Sequence, residues 1–230
     1  MTAAQRPLRW YRDQGARARV HVAARWATAP FGPLEALLPP AGRILDWGCG
    51  HGLLAVWAAA LAPGRTVEGV DLDAAKLDHA TRAAAAAGVA DRVRFRQVAP
   101  GARPSGSWDA IVIDDVLYLL APADQEALVA AAASALAPGG ILVVKEMDRE
   151  PAWKHALTRA QEVVAVRVLR VTATSGPLQP APTASTVAGW MAAAGLEARC
   201  LRLDRGYHVP HAAAVGRRAP GAAPGGTLPP

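Results

Sequence analysis

The chain has 230 residues, 52% of them hydrophobic, enough for one sizeable core but not for a second independent domain. Its net charge of +6 gathers at the ends (+5 over residues 1–45, −3 over 46–198, +4 over 199–230) without interleaved stacking aromatics, so nucleic acid is not an expected partner. Cys49 and Cys200 have no paired spacing, and no run nears the roughly 18 apolar residues of a membrane span, so neither a disulfide framework nor a transmembrane protein is expected, but a soluble cytoplasmic one.

Arg9 to Thr28 contains no Pro and sets Tyr11, Val20, Val22 and Trp26 among arginines, which predicts one or two amphipathic helices. Residues 1–40 are expected to form a helical flap against an edge of the core, ending in a short helix between proline breaks. From residue 41 a βα alternation begins. It predicts a strand at 43–46 and a helix at 53–61, then a strand at 66–70 and a helix at 74–87 closed by Gly88. A strand at 93–98 follows, then a strand at 110–113, a helix at 122–136, a turn at Pro138-Gly139-Gly140 and a strand at 141–145. Continuous apolar strands alternating with helices predict a parallel sheet covered on both faces. A mostly helical insertion is expected at 151–182, then a helix at 183–194. Two last strands, 196–203 and 208–215, are joined at Asp204-Arg205-Gly206 by a tight turn that makes them antiparallel. Residues 217–230, mainly Gly, Pro, Ala and Arg, are expected to be a disordered tail.

The most informative stretch is Asp46-Trp-Gly48-Cys49-Gly50-His-Gly52, between the first strand and helix of that alternation. Its glycines permit a sharp bend and close approach of a ligand to the backbone. Asp71 ends the following strand, where an acid suits a ribose hydroxyl. Two nucleoside cofactors compete for such a site. The dinucleotide fingerprint requires G-x-G-x-x-G and packs a pyrophosphate onto a helix start, whereas here Leu53 takes the third glycine position. Asp46 would repel a pyrophosphate. It suits the ammonium of S-adenosylmethionine, which carries a sulfonium and no phosphate.

On these residues the chain resembles the class I S-adenosylmethionine-dependent methyltransferases. The matching runs are Ile44-Leu-Asp-Trp-Gly-Cys-Gly-His-Gly52, Val70-Asp-Leu-Asp73, Trp108 to Tyr118, and Leu136-Ala-Pro-Gly-Gly-Ile-Leu-Val-Val144, in register over about residues 40–215. The resemblance implies an α/β, Rossmann-like, seven-stranded and mostly parallel sheet of order 3-2-1-4-5-7-6 with an antiparallel last strand and helices on both faces. It places the methyltransferase domain at 41–216. It also implies that Gly48, Cys49, Gly50 and Gly52 pack against the methionine portion and that Asp46 reaches the amino group. Asp71 would bind the ribose, Leu72 would lie along the adenine, and Asp114 would border the methyl end. After the third strand the family often has an acid that reads adenine. This chain has Val98-Ala99-Pro100, so recognition is expected from backbone atoms of Val98 and Ala99.

Methyl transfer from a sulfonium is an in-line displacement in which alignment supplies much of the rate, and a hydroxyl acceptor also needs a base. Beyond the strand ends the catalytic candidates are Asp115, Glu146 and, on the following helix, His155. Acceptor-binding candidates are Tyr11, Tyr118, Trp153 and Arg159. Each has an ordinary reading too: Asp115 as a helix cap, Tyr118 as packing, Glu146 as a solvated group, His155 as a surface residue. His51, His79, His208 and His211 lack metal-like partners, and no metal is expected. The run Ile113-Asp-Asp-Val-Leu-Tyr118 lacks the Pro-Pro-aromatic pattern of enzymes that methylate adenine, cytosine or glutamine nitrogens. The insertion 151–182 is expected to be a lid whose apolar residues suit a greasy acceptor, presented in one reading near a membrane surface. The expected function is methylation of a small, hydrophobic biosynthetic metabolite. A nucleotide-dependent oxidoreductase and a non-catalytic adenosyl-ligand-binding protein are the alternatives.

Overall fold

A computed structural model of the protein describes residues 7–147 and 181–221. Strands β1 (Ala41–Trp47), β2 (Gly64–Asp71), β3 (Val93–Gln97), β4 (Trp108–Asp114), β5 (Leu136–Met147), β6 (Glu197–Arg202) and β7 (His211–Arg217) form one sheet in the order β3-β2-β1-β4-β5-β7-β6. β1 to β5 pair in parallel, and β7 runs antiparallel to both β5 and β6. Helices α1 (Ala16–Thr28), α2 (Phe31–Glu35), α3 (Leu53–Leu61), α4 (Ala74–Ala87), α5 (Pro122–Ser134) and α6 (Ala184–Ala193) cover its faces, preceded by a 3-10 turn at Pro7–Tyr11. This is the Rossmann-like order that the motifs imply. No helix of the described residues is long and apolar enough to cross a membrane.

Alternate residues of the buried strands feed two cores. Ile44, Val67, Val112 and Val143 pack with the N-terminal segment, α3 and α4, while Leu45, Val70, Ile111 and Leu142 pack with α5 and α6. The bounds of α3 and α4 fall where the sequence puts them because local chemistry sets them. Gly52 and Gly88 take the left-handed conformation at φ +73° and +72°, and the Asp73 carboxylate caps the N–H groups of Ala75 and Lys76.

Three segments differ from expectation. Pro138-Gly139-Gly140 is not a turn before β5 but an irregularity within it: the strand pairs Leu136 with Trp108, then shifts register to pair Ile141 with Ala110. A Cβ at Gly140 would collide with the carbonyls of Trp108 and Ala137, so only glycine lets the strand pass there. The connection between β6 and β7 runs over residues 203–210 rather than as a tight turn. Order also extends past residue 216. Arg217 ends β7, and the buried Arg218 donates its N–H to the Gly140 carbonyl at 2.9 Å and its guanidinium to the Ala133 carbonyl at 2.6 Å. The insertion expected at 151–182, with Trp153, His155 and Arg159, lies outside the described residues apart from its last two positions.

The N-terminal segment shares a core with the sheet through Trp10, Tyr11, Val22, Phe31 and Leu34. Arg65 at the start of β2 pins its end. Only 3% exposed, its guanidinium donates to the carbonyls of Pro39 (2.7 Å), Ala58 (3.0 Å) and Leu38 (3.3 Å) and pairs with Glu35 at 2.6 Å. Removing one partner from a buried pair leaves the other charge and several carbonyls unsatisfied. Arg65→Ala is therefore expected to cost about 3 kcal/mol in urea unfolding, and a loss under about 1 kcal/mol would mean that residues 35–39 are held by other contacts.

Candidate active site

The carboxyl ends of β1, β2 and β4 open into a cavity of about 470 Å³, lined by Asp46, Asp71 and Asp114, by the bend after β1, and by α1. Gly48 and Gly50 bend the chain at φ +81° and +54°. A Cβ at Gly48 would collide with Val116, whereas one at Gly50 would meet no protein atom within 4 Å. Gly52 is not on the cavity wall. A Cβ there would collide with Ala80 and Phe95, so the contact expected of Gly52 with the cofactor is replaced by close packing of the bend onto α4 and β3.

Three successive N–H groups of this bend are already used. Gly48 and Cys49 both donate to the Val70 carbonyl, at 2.8 and 2.9 Å, and Gly50 donates to Asp71 Oδ2 at 2.8 Å. A phosphate-binding bend aims such groups at its ligand, whereas these three point to Val70 and Asp71 instead. Cys49 lines the cavity without a main-chain donor to offer. Burial first, then the charges of Asp46 and Asp71, push its thiol well above the ordinary value.

Asp46 is 4% exposed, and its Oδ2 has no hydrogen-bond partner. Burial, then the nearby charges of Asp114 and Asp71, push its carboxyl up to about 7, against a backbone hydrogen bond from Ala55. A buried carboxyl short of a partner on a cavity wall suits the ammonium of S-adenosylmethionine. Asp71 accepts from Asp73 N–H at 2.9 Å through Oδ1 and from Gly50 through Oδ2, and each oxygen keeps a second lone pair for a ribose hydroxyl. Leu72, 54% exposed, lines the cavity with Val98 and Ala99 and offers apolar surface for a flat base. Of the backbone groups expected to read adenine, Val98 N–H donates to the Asp71 carbonyl and the Ala99 carbonyl accepts from Ala102. The residues present fit the cofactor.

Sequence reasoning missed one wall. His21, Val22 and Arg25 of α1, with Phe31, face the cavity, so the expected edge flap is part of the site. The four-residue spacing of His21 and Arg25 puts them on one helical face, but the spacing does not say what that face meets. Tyr11 stands behind the wall rather than on it: 1% exposed, it donates its hydroxyl to the His51 carbonyl at 2.8 Å. Its expected contact with an acceptor is corrected to support of the bend. Gln14 grips His79 twice, at the carbonyl (3.0 Å) and at Nδ1 (2.7 Å). The rings of His21, His51 and His79 follow one another at 4.7 and 5.4 Å. Burial foremost lowers all three, His21 to about 4 and His51 to about 3, so near neutral pH they meet without charge repulsion.

Asp114 and Asp115 end β4 as part of an ionic network. Arg25 reaches Asp114 at 2.7 Å and Asp115 at 2.5 Å, and the fully buried Lys145 lies 2.5 Å from Asp115 and 3.2 Å from Asp114. Burial would raise the Asp115 carboxyl, but Lys145 and Arg25 outweigh it and hold the group well below the usual carboxylate range. Such an acid does not take up a proton at neutral pH, which corrects its expected role as a base. Glu146 is not solvated and not on the cavity wall. Its Oε1 accepts from the N–H groups of Val116 (3.0 Å) and Leu117 (2.7 Å), while burial and the Asp115 charge raise its carboxyl. It anchors the loop that carries Tyr118, which does line the cavity. Among the described residues no group of His, Cys, Asp and Glu is arranged to hold a metal ion.

The sequence matches the methyltransferase domain family over residues 17–201. It is 33% identical over 133 residues to the ribosomal protein L11 methyltransferase of Bordetella parapertussis, covering 56% of this chain and 37% of that protein. It is 36% identical over 146 residues to the ubiquinone biosynthesis O-methyltransferase of Xanthomonas axonopodis pv. citri, covering 57% of this chain and 59% of that one. In both cases the match spans less than two thirds of the relative. Among solved structures, the O-methyltransferase NcsB1 from neocarzinostatin biosynthesis, in complex with S-adenosylmethionine and 2-hydroxy-5-methyl naphthoic acid, superposes with a TM-score of 0.62 at 16% identity, covering 88% of this chain and 56% of that one.

The raised carboxyl of Asp46 has consequences of opposite sign for stability and binding. Its value in the fold, about 7, lies above the ordinary 3.8, so its protonated form favours folding and that contribution is lost as pH rises to about 7. Asp46→Asn is expected to stabilise the ligand-free protein at pH 8 by roughly 1–2 kcal/mol, below the full linkage value because the amide brings its own unpaired donor. The same variant should bind S-adenosylhomocysteine about tenfold or more weakly by calorimetry. Wild-type affinity should rise with pH up to about 7 and then level off. An unchanged affinity in the variant would remove Asp46 from the ammonium site. With its match running from the N-terminal wall into β6, the chain belongs to the methyltransferase domain family.

Proposed function

We propose that this enzyme methylates a hydroxyl oxygen of a small, mainly apolar biosynthetic metabolite. The observation that carries the reading is the character of the cavity beyond Asp114. Val22, Phe31, Tyr118 and Leu119 contribute apolar and aromatic surface, while the charges of Arg25, Asp114 and Asp115 are taken up by one another and by Lys145. Such a wall favours a neutral acceptor, since a charged one would be desolvated without a counter-ion.

In this reading Asp46 holds the ammonium, Asp71 the ribose, and Leu72, Val98 and Ala99 the adenine. Bound S-adenosylmethionine supplies an electrophilic methyl group on its sulfonium. The chain's task is to keep the acceptor oxygen in line with that carbon and to keep water out. His21 lies on the wall and is neutral near pH 7, so it can accept the hydroxyl proton, but its lowered value of about 4 makes it a weak base. Alignment then supplies more of the rate than proton transfer does.

Two O-methyltransferases that the chain resembles support the reading, one named for ubiquinone biosynthesis and the other solved with a naphthoic acid. The ribosomal protein methyltransferase defines the rival, a protein acceptor. The test is to supply methyl-labelled cofactor to the enzyme with a cell extract split into a small-molecule filtrate and a protein fraction. Label is expected in solvent-extractable compounds of the filtrate, as alkali-stable ethers. Label confined to precipitated protein would overturn the proposal.

A further inference from the structure

We propose that Arg25 tunes the methyl-donor end of the site: together with Lys145 it neutralises Asp114 and Asp115, so that the cationic donor is not held more tightly than the transition state. The proposal rests on the cofactor placement above, with Asp114 at the methyl end. The network contains two carboxylates and two cations in mutual contact, so its net charge is zero. Lys145 is fixed in β5 and fully buried, whereas Arg25 arrives from α1 with its side chain 31% exposed and leans over the Phe31 ring at 5.8 Å. The charge balance is therefore complete only when the N-terminal wall is in place.

The chemistry makes that balance matter. In the transfer the acceptor's lone pair forms the new bond to the methyl carbon, the C–S bonding pair returns to sulfur, and the acceptor's proton passes to His21 and from there to solvent. Sulfur begins as a sulfonium and ends as a neutral thioether. An unpaired carboxylate nearby would stabilise the starting cation more than the transition state, in which that charge is dispersing, and would slow the reaction. Two opposite cations cancel that pull. Arg25 thus acts as a positioning residue for charge, through Asp114 and Asp115.

The donor and its demethylated product differ at sulfur by one positive charge, so the ratio of their affinities reads the local charge directly. Calorimetric titrations of S-adenosylmethionine and S-adenosylhomocysteine are to be compared for the wild type, Arg25→Gln, Arg25→Lys and Asp115→Asn. Arg25→Gln leaves one excess negative charge and should shift the ratio toward S-adenosylmethionine by about tenfold, with a lower kcat. Asp115→Asn leaves one excess positive charge and should shift the ratio the other way by a similar factor. Arg25→Lys should restore the wild-type ratio. A purely architectural role would weaken both ligands together in both variants, so an unmoved ratio, or shifts of the same sign, would overturn the proposal. If Arg25→Gln fails to fold, the sign of the Asp115→Asn shift decides alone. A wild-type protein that binds neither ligand would instead overturn the cofactor reading, and this inference with it.

Discussion

Both oxygens of Asp71 accept backbone N–H groups, one from Gly50 and one from Asp73. That carboxylate ties the bend after β1 to the start of α4, and much of the site depends on it. It fixes the glycine bend from below while Tyr11 holds the same bend from behind through the His51 carbonyl. It draws an N–H group away from the cavity, as the Val70 carbonyl does for its neighbours, and so leaves a bend that suits a cation-bearing nucleoside better than a phosphate. Shape and ligand class thus follow from the same hydrogen bonds.

The second constraint is the crowding of acids where the strands end. Asp46, Asp71, Asp114 and Asp115 share one cavity wall, and like charges this close are tolerated only where each finds a partner or stays protonated. The network with Arg25 and Lys145 serves two of them, and backbone donors serve Asp71. Asp46 is left over, destabilised in the empty protein and suited to a ligand that brings its own positive charge. A buried carboxyl short of a partner costs stability, and functional sites commonly depart from the rules of a good core in this way.

What could be read in the sequence followed local rules. The bounds of α3 and α4, the closing Gly88, the bend, and the acids at the ends of β1 and β2 were legible because glycine conformation and strand length act within a few residues. The role of α1 was not. His21 and Arg25 acquire meaning only from contacts with His51, Asp114 and Asp115, which lie 30 to 90 positions away in the chain. The same distance misled the reading of Asp115 and Glu146. Both stand where catalytic acids stand, but Lys145 and the loop N–H groups decide what they can do. Gly52 looked like its neighbours in the motif, and only Ala80 and Phe95 reveal that it serves packing.

Asp115 has a positive φ of 57°, the only such value for a non-glycine among the described residues. Aspartate and asparagine enter that region more readily than longer or branched side chains. The position therefore makes two demands at once, a left-handed corner and a negative charge next to Arg25 and Lys145. Asparagine or glycine would meet the first and fail the second; glutamate would carry the charge and fit the corner poorly. Within the genetic code aspartate alone satisfies both, so a lineage that lost it would be pressed to rewrite position 25 or 145 as well.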